Sequence, residues 1–419
     1  MRPPLIWPKT YSMRSTPRSD LRAGKPAPAG PRSLSRSYWI LWAGTLVNRL
    51  GTMVQPFLAL YLTGARGLTV SEAGLIMSSY GLGAVLSPVP AGWLADRVGR
   101  RAMLTGGTLC TAAAMTALGF STRPVQLAAS VFALGLAMDA YRPAAHALVA
   151  DLVPRRSRGR AYGLLLWAVN LGSACGFLIG GMLVRDHFSA ALWIDALTCV
   201  VFGLLVWYGI PDVTGADVPS RRTRNARRDI GLVLRDRVMI GYGVVTLGYC
   251  LVYLQSVFTL PLAMRDAGLS PRSFSLVMAV NAGLIVLLQP WAAARLGEWD
   301  RSSTVACGIA LTGAGFAATA AAGSTAGFAL GCVVWTAGEI LVSTVSVTLV
   351  ADLAPAHLRG AYNGVYGFVW ALATLLAPLF GSRLLDVGED ALWFACGAVA
   401  VGAAVGQLRL GSVIRARST

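Results

Sequence analysis

Four ionisable residues lie where charge is expensive: Arg49, Asp139, Arg142 and Glu339 each sit inside a long apolar run. At 1.5 Å of helix per residue, Arg49 is about 16 Å past the start of its run, while Asp139, Arg142 and Glu339 are about 18, 14 and 20 Å from the ends of theirs. In a bilayer, a charge at that depth costs about 2.5 to 3.5 kcal/mol even on an insertion scale, so such side chains face a wet cavity or one another. A carboxyl there can load and release a proton as a guanidinium moves toward or away from it. Asp139 and Arg142 are three residues apart and share a helix face. The expectation is a central cavity in which Glu339 and Asp139 include a proton carrier, with Arg49 and Arg142 tuning them. A fixed salt-bridge network between helices is the alternative.

Other polar and aromatic residues in these runs are candidates to line the same cavity. Gln55, Gln255 and Asn281 offer hydrogen bonds, and Tyr249, Tyr253, Trp335 and Trp370 offer rings for an aromatic or cationic compound. Each also suits ordinary packing or bonding between helices. His146, only about 6 to 8 Å from a helix end, reads as structural.

The elements that must position these residues follow from composition. Of 419 residues, 55% are hydrophobic and 13% charged, against roughly 25% charged in a soluble domain. Apolar runs long enough to cross a hydrocarbon layer of about 30 Å fall at 38–62, 71–92, 101–121, 126–151, 159–184, 190–210, 238–262, 273–295, 302–322, 325–351, 359–384 and 389–410. The fold class expected is therefore all-α, with twelve transmembrane helices. The organisation expected is a disordered basic tail at 1–37, one six-helix bundle at 38–210, a basic linker at 211–237, a second bundle at 238–410 and a tail at 411–419.

The net charge of +17 is not a nucleic-acid patch, because the cations lie between apolar runs. Placing the amino terminus inside assigns 28 Lys and Arg to that side and six to the other, which makes both termini cytoplasmic. The seven cysteines stand singly in apolar stretches, with no C-x-x-C pair and only three histidines. No metal site, cofactor or disulfide framework is implied, and no phosphate loop or H-E-x-x-H helix suggests an enzyme.

The two halves repeat. LVADLVPRRSRG (148–159) and LVADLAPAHLRG (349–360) agree at eight of twelve positions, at an offset of 201, which also aligns Gly163 with Gly364 and Gly180 with Gly381. Asp151 and Arg158, with their counterparts Asp352 and Arg359, sit at helix ends on the cytoplasmic side, where a carboxylate can pair with the arginine or cap a helix start. They read as inward-side gate residues.

The loop GWLADRVGRR, through Gly92, Asp96, Arg97, Gly99, Arg100 and Arg101, resembles the loop 2–3 signature of the major facilitator superfamily. That resemblance implies two pseudo-symmetric six-helix bundles, with Asp96 meeting the start of the eleventh helix near Gly360 and latching the outward-facing state. The corresponding loop AARLGEWDRSS (293–303) keeps a trace of the signature. The fifth helix carries Gly163, Gly172, Gly176, Gly180 and Gly181, in register with the glycine motif of the family's proton-driven exporters, although Phe177 stands where that motif has proline. Small residues so spaced let helices approach closely. In the fourth helix the exporters' arginine position is Val131, while MDAYRPAAHALVADLVP resembles some drug-exporter branches.

By this resemblance the chain is similar to drug:proton antiporters. It would be a monomeric, multi-pass transporter of the inner (plasma) membrane, exchanging protons for a small amphipathic compound without binding nucleic acid. Proton symport or facilitated uptake of a sugar, organic acid or other nutrient is the alternative.

Overall fold

The computed structural model describes residues 34–52, 54–88, 91, 94, 97–154, 157–211, 226–296, 299–355 and 357–418. Gly92 and Asp96 of the signature loop lie outside them, as do the side chains of Asp139, Arg142 and His146.

Helix starts are set by local chemistry. Helix α1 (Arg36–Gly51) is capped by Ser35, whose hydroxyl accepts the Tyr38 amide at 3.2 Å. Helix α2 (Val70–Leu86) begins with a capping box: the Thr69 hydroxyl accepts from Glu72, and the Glu72 carboxylate accepts from the Thr69 amide. Gly99, at φ +83°, lets the chain turn into α3 (Arg100–Phe120). Helices α4 (Pro124–Leu152) and α8 (Pro271–Arg295) start on proline, which has no amide hydrogen to leave unbonded. Asp236 and Asp300 cap α7 (Arg237–Tyr253) and α9 (Arg301–Ala318), and Ser324 caps α10 (Thr325–Leu353).

Between α4 and α7, helical backbone fills the stretch Arg158–Gly209. Its two arms, α5 (Arg158–Leu183) and α6 (Phe188–Gly209), nevertheless run in opposite directions. In α5, Leu164 and Gly172 meet Trp42 and Arg49 in ascending order, whereas in α6 Gly209, Phe202 and Thr198 meet Ile40, Gly44 and Gly51 in descending order. Residues 185–189, between the two arms, hold no glycine or proline. Helices α11 (Arg359–Val387) and α12 (Glu389–Ser418) complete the second half. Among the described residues nine helices are long and apolar enough to cross a membrane, and Val70–Leu86 and Pro124–Met138 are shorter apolar pieces.

Three sequence boundaries change. The first span is not continuous: α1 stops at Gly51, and a separate helix Val54–Leu60 leads into the π-helical turn Tyr61–Ala65. The seventh breaks at the position 201 residues on, where α7 yields to Gln255–Phe258 and Leu260–Asp266. Pro56 and Pro261 sit in the first turns of the pieces that follow, the place where proline fits a helix. The stretch expected as a carboxyl-terminal tail continues α12 to Ser418.

The halves meet at the end of the bundle away from α1's start. There α2 lies on α11, with Gly74 against Ser382 and Gly81 against the Leu375 backbone. Helix α5 lies on α8 at Gly181 and Ser275. Ser71 bonds Asp386, Arg265 donates to the Thr63 hydroxyl at 2.7 Å, and Phe57 meets Phe274 edge to face at 5.4 Å. One apolar core joins both halves here and continues along the second half to Val233, Leu353 and Leu358. At the other end the first half closes on a separate core of its own, built around Tyr38, Met103, Leu148, Leu165 and Phe202. Gly163, Gly360, Gly364 and Gly367 there have, among the described residues, no heavy atom within 4 Å of where a Cβ would sit. Among the described residues, the bundle is thus shut at one end and parted at the end that bears the arginine-rich loops.

Candidate functional site

Glu339 is the best-defined ionisable group in the interior. It projects from α10 and accepts the Tyr253 hydroxyl and the Asn281 amide, each at 2.8 Å. Asn281, 6% exposed, also donates to the Thr336 hydroxyl at 3.0 Å. No ion pair among the described residues includes Glu339. Its partners come from α7 and α8, so with α10 itself the carboxyl sits where three helices of the second half converge.

Rings surround this carboxyl. Tyr253 lies nearly parallel to Tyr249 at 5.8 Å and edge-on to Trp370 and Trp335 at 6.0 and 6.5 Å. Trp335 stacks on Phe316 at 5.5 Å, and its buried indole N–H has no acceptor among the described residues. A carboxylate held by neutral donors within ring edges and faces can take up a proton or a cationic group. The break after Tyr253 contributes directly, since it ends α7 at the residue that bonds Glu339.

The sequence-predicted residues divide accordingly. Tyr249, Tyr253, Asn281, Trp335 and Trp370 gather with Glu339. Gln255 does not join them: it is fully buried, donates to the carbonyls of Leu251 and Ala377, and accepts from Thr259. With those bonds made it ties the seventh span to α11. Gln55 is half-buried beyond the α1 break.

Arg49 occupies the last turn of α1, and its buried Nε has no hydrogen-bond acceptor among the described residues. Gly172 and Gly176 make room for it. A Cβ at Gly172 would approach the Leu46 carbonyl to 3.0 Å, and one at Gly176 the Arg49 carbonyl to 2.9 Å. No ion pair joins Arg49 to Glu339 among the described residues.

Sequence reasoning missed Asp195. This α6 carboxylate is 1% exposed and faces the Val54 amide at 3.5 Å, across the break in the first span. The signal was present: Asp195 is the lone acid of the run LWIDALTC, open to the same depth argument as the other buried charges.

At the parted end, Asp151 pairs with Arg100, and Asp352 pairs with Arg301. The carboxylates therefore reach back to the start of α3 and of α9, while Arg158 donates through Nε to the Val153 carbonyl at 3.2 Å. Asn363 of α11 donates to the Arg359 carbonyl. Arg101 bonds the Trp207 carbonyl and lies over its ring at 4.6 Å, and Arg97 is exposed.

A helical bundle of two repeated halves, shut at one end and parted at the other around an interior carboxyl, defines a polytopic membrane transporter. The sequence profile of the Major Facilitator Superfamily matches residues 41–378, and the chain belongs to that family. Similar proteins include Multidrug resistance protein MdtH of Cronobacter sakazakii, 28% identical over 88% of this chain and 92% of that protein. The uncharacterized MFS-type transporter YttB of Bacillus subtilis is 24% identical over 84% and 89%. Among solved structures, a POT family transporter in complex with 5-aminolevulinic acid superposes with a TM-score of 0.78 at 16% identity, covering 92% of this chain and 98% of that one. Nucleoside transporter NupG gives 0.70 at 14% identity, covering 91% and 100%. These structural likenesses establish the fold.

Proposed function

We propose that this chain is a proton-coupled exporter of a small amphipathic compound bearing an aromatic or cationic group, acting in the inner (plasma) membrane as a monomer. The observation that carries the reading is Glu339, bonded by Tyr253 and Asn281 within the rings of Tyr249, Trp335 and Trp370. A carboxyl without a fixed counter-ion can exchange a proton for a cationic substrate as access alternates, and Asp139 with Arg49 and Arg142 is the corresponding group of the first half. The name of the Cronobacter relative, a multidrug resistance protein, favours export. With both termini cytoplasmic, the parted end opens inward, the side from which an exporter loads.

Uptake by symport is the second reading, favoured by Phe177 at the proline position of the exporters' glycine motif. Proteoliposomes carrying an internal pH dye, screened with aromatic cations, separate the two. Export predicts substrate movement opposite to protons, and loss of that coupling in Glu339→Gln and Asp139→Asn, singly or together. Substrate and protons entering together would overturn export, and unchanged coupling in all the variants would overturn the carrier assignment.

A further inference from the structure

The chain between the two halves holds seven arginines from 221 to 237, with Asp229 the single acid between 221 and 235. Its last part is the helix Ala226–Val233. That helix is tied down at its end. The amides of Leu234, Arg235 and Asp236 donate to the carbonyls of Ile230, Leu232 and Val233 at 2.9, 3.2 and 3.0 Å. Asp236 in turn accepts from the Val238 amide at 3.0 Å and from the Tyr362 hydroxyl of α11 at 2.7 Å.

Among the described residues, only one side of the segment is covered by protein. Val233 is fully buried, yet Ile230, Leu232 and Leu234 are 45, 44 and 55% exposed. Three branched aliphatic side chains within five residues are unfavourable in water. The exposed apolar surface continues down α7 through Ile240 and Val244, which as part of a membrane span meet lipid. Arg228, Arg235 and Arg237 are exposed among them. A short helix with apolar flanks and a guanidinium fringe, standing where a spanning helix leaves the bilayer, suits the interface plane. Guanidinium groups pair geometrically with phosphate oxygens.

We infer that the helix Ala226–Val233 lies in the membrane interface and binds the anionic phosphodiester headgroups of the surrounding bilayer, with Ile230, Leu232 and Leu234 inserted and the exposed Arg228, Arg235 and Arg237 on the phosphates. The bond from Tyr362 to Asp236 joins this anchor to α11, the helix that packs on α2. Lipid composition is thereby linked to the element that parts and closes the halves.

The test is amide hydrogen exchange on the full chain in nanodiscs of phosphatidylcholine alone and of phosphatidylcholine with about 30% phosphatidylglycerol. Amides from Ile230 to Asp236 are expected to exchange about tenfold more slowly in the anionic discs, with the difference shrinking in high salt. Replacing Arg228, Arg235 and Arg237 by Gln removes the difference. Replacing Ile230, Leu232 and Leu234 by Ser speeds exchange in both compositions. Protection across α9 and α10, whose glycines Gly308 and Gly338 are in close contact, reports that each variant is folded. Equal exchange of the native chain in the two discs, or a difference that survives the arginine replacements, overturns the inference.

Discussion

Arg301, at the start of α9, is ion-paired with Asp352, near the end of α10, and the same pair recurs 201 residues earlier as Arg100 with Asp151. The repeat in sequence is thus a repeat of contacts. In each half the pair joins the third and fourth helices at the parted end, next to the loop that enters the fifth. Both pairs are partly exposed, with side-chain exposures of 35 and 19% in the first half and 41 and 45% in the second.

A partly exposed pair contributes about 0–1 kcal/mol to stability, so these pairs act on conformational balance more than on folding. Asp352→Asn and Asp151→Asn are expected to lower the melting temperature by no more than about 4 °C while reducing transport severalfold. Exchanging the partners, Arg301→Asp with Asp352→Arg, restores transport. Melting curves and vesicle transport on the same preparations check both halves of this expectation.

The glycines separate by place. At the shut end a Cβ on Gly81 would collide with the Leu375 backbone, and overpacking of this kind costs about 1–3 kcal/mol. Gly81→Ala therefore destabilises the contact of α2 with α11 and raises alkylation of a cysteine introduced as Ser71→Cys. Gly163 and Gly364, with open space around them here, tolerate alanine in this conformation. Their variants keep the melting temperature and lose transport, because the close approach they permit belongs to the opposite state.

Much of this architecture was legible in the chain. The apolar runs gave the helices, and the offset of 201 placed Asp151 and Asp352 at equivalent ends. Depth along a helix singled out Glu339, and residue type singled out the rings around it. The partners of Asp151 and Asp352 were not legible, because Arg100 and Arg301 lie 51 residues upstream and only folding brings them near. Nor was the fate of Gln255, since a glutamine that ties two helices and one that lines a cavity look alike until their bonds are counted. Hydropathy also passed over the breaks at Thr52 and Leu254, where apolar composition continues although the helix ends.

Tyr253 tests the central carboxyl without removing it. Its hydroxyl donates to Glu339 at 2.8 Å, and losing one partner of a buried hydrogen bond costs about 1–3 kcal/mol. Tyr253→Phe keeps the ring contacts with Tyr249, Trp335 and Trp370. It is expected to change the pH dependence of transport while altering substrate affinity little. Tyr253→Ala, which removes the ring as well, weakens substrate binding too. Transport measured across a pH series, with binding measured separately, distinguishes the two effects.

Asp300 gives a pH dependence outside the membrane. Bonds from the Ser303 hydroxyl at 2.6 Å and amide at 2.8 Å, with Arg415 at 3.2 Å, hold its carboxyl below the usual carboxylate range. A lowered folded-state pKa means that the unfolded chain binds the proton more readily. The stabilisation is then present above the unfolded value of about 3.9 and fades as pH falls through the folded value. Asp300→Asn keeps a residue able to cap α9 but removes the charge. Its melting temperature should lie below the native chain's at pH 6 to 7 and converge with it as the pH drops below about 4. A gap that persists unchanged at low pH would show that the cap geometry, rather than the ionised carboxylate, holds α9 and the end of α12 together.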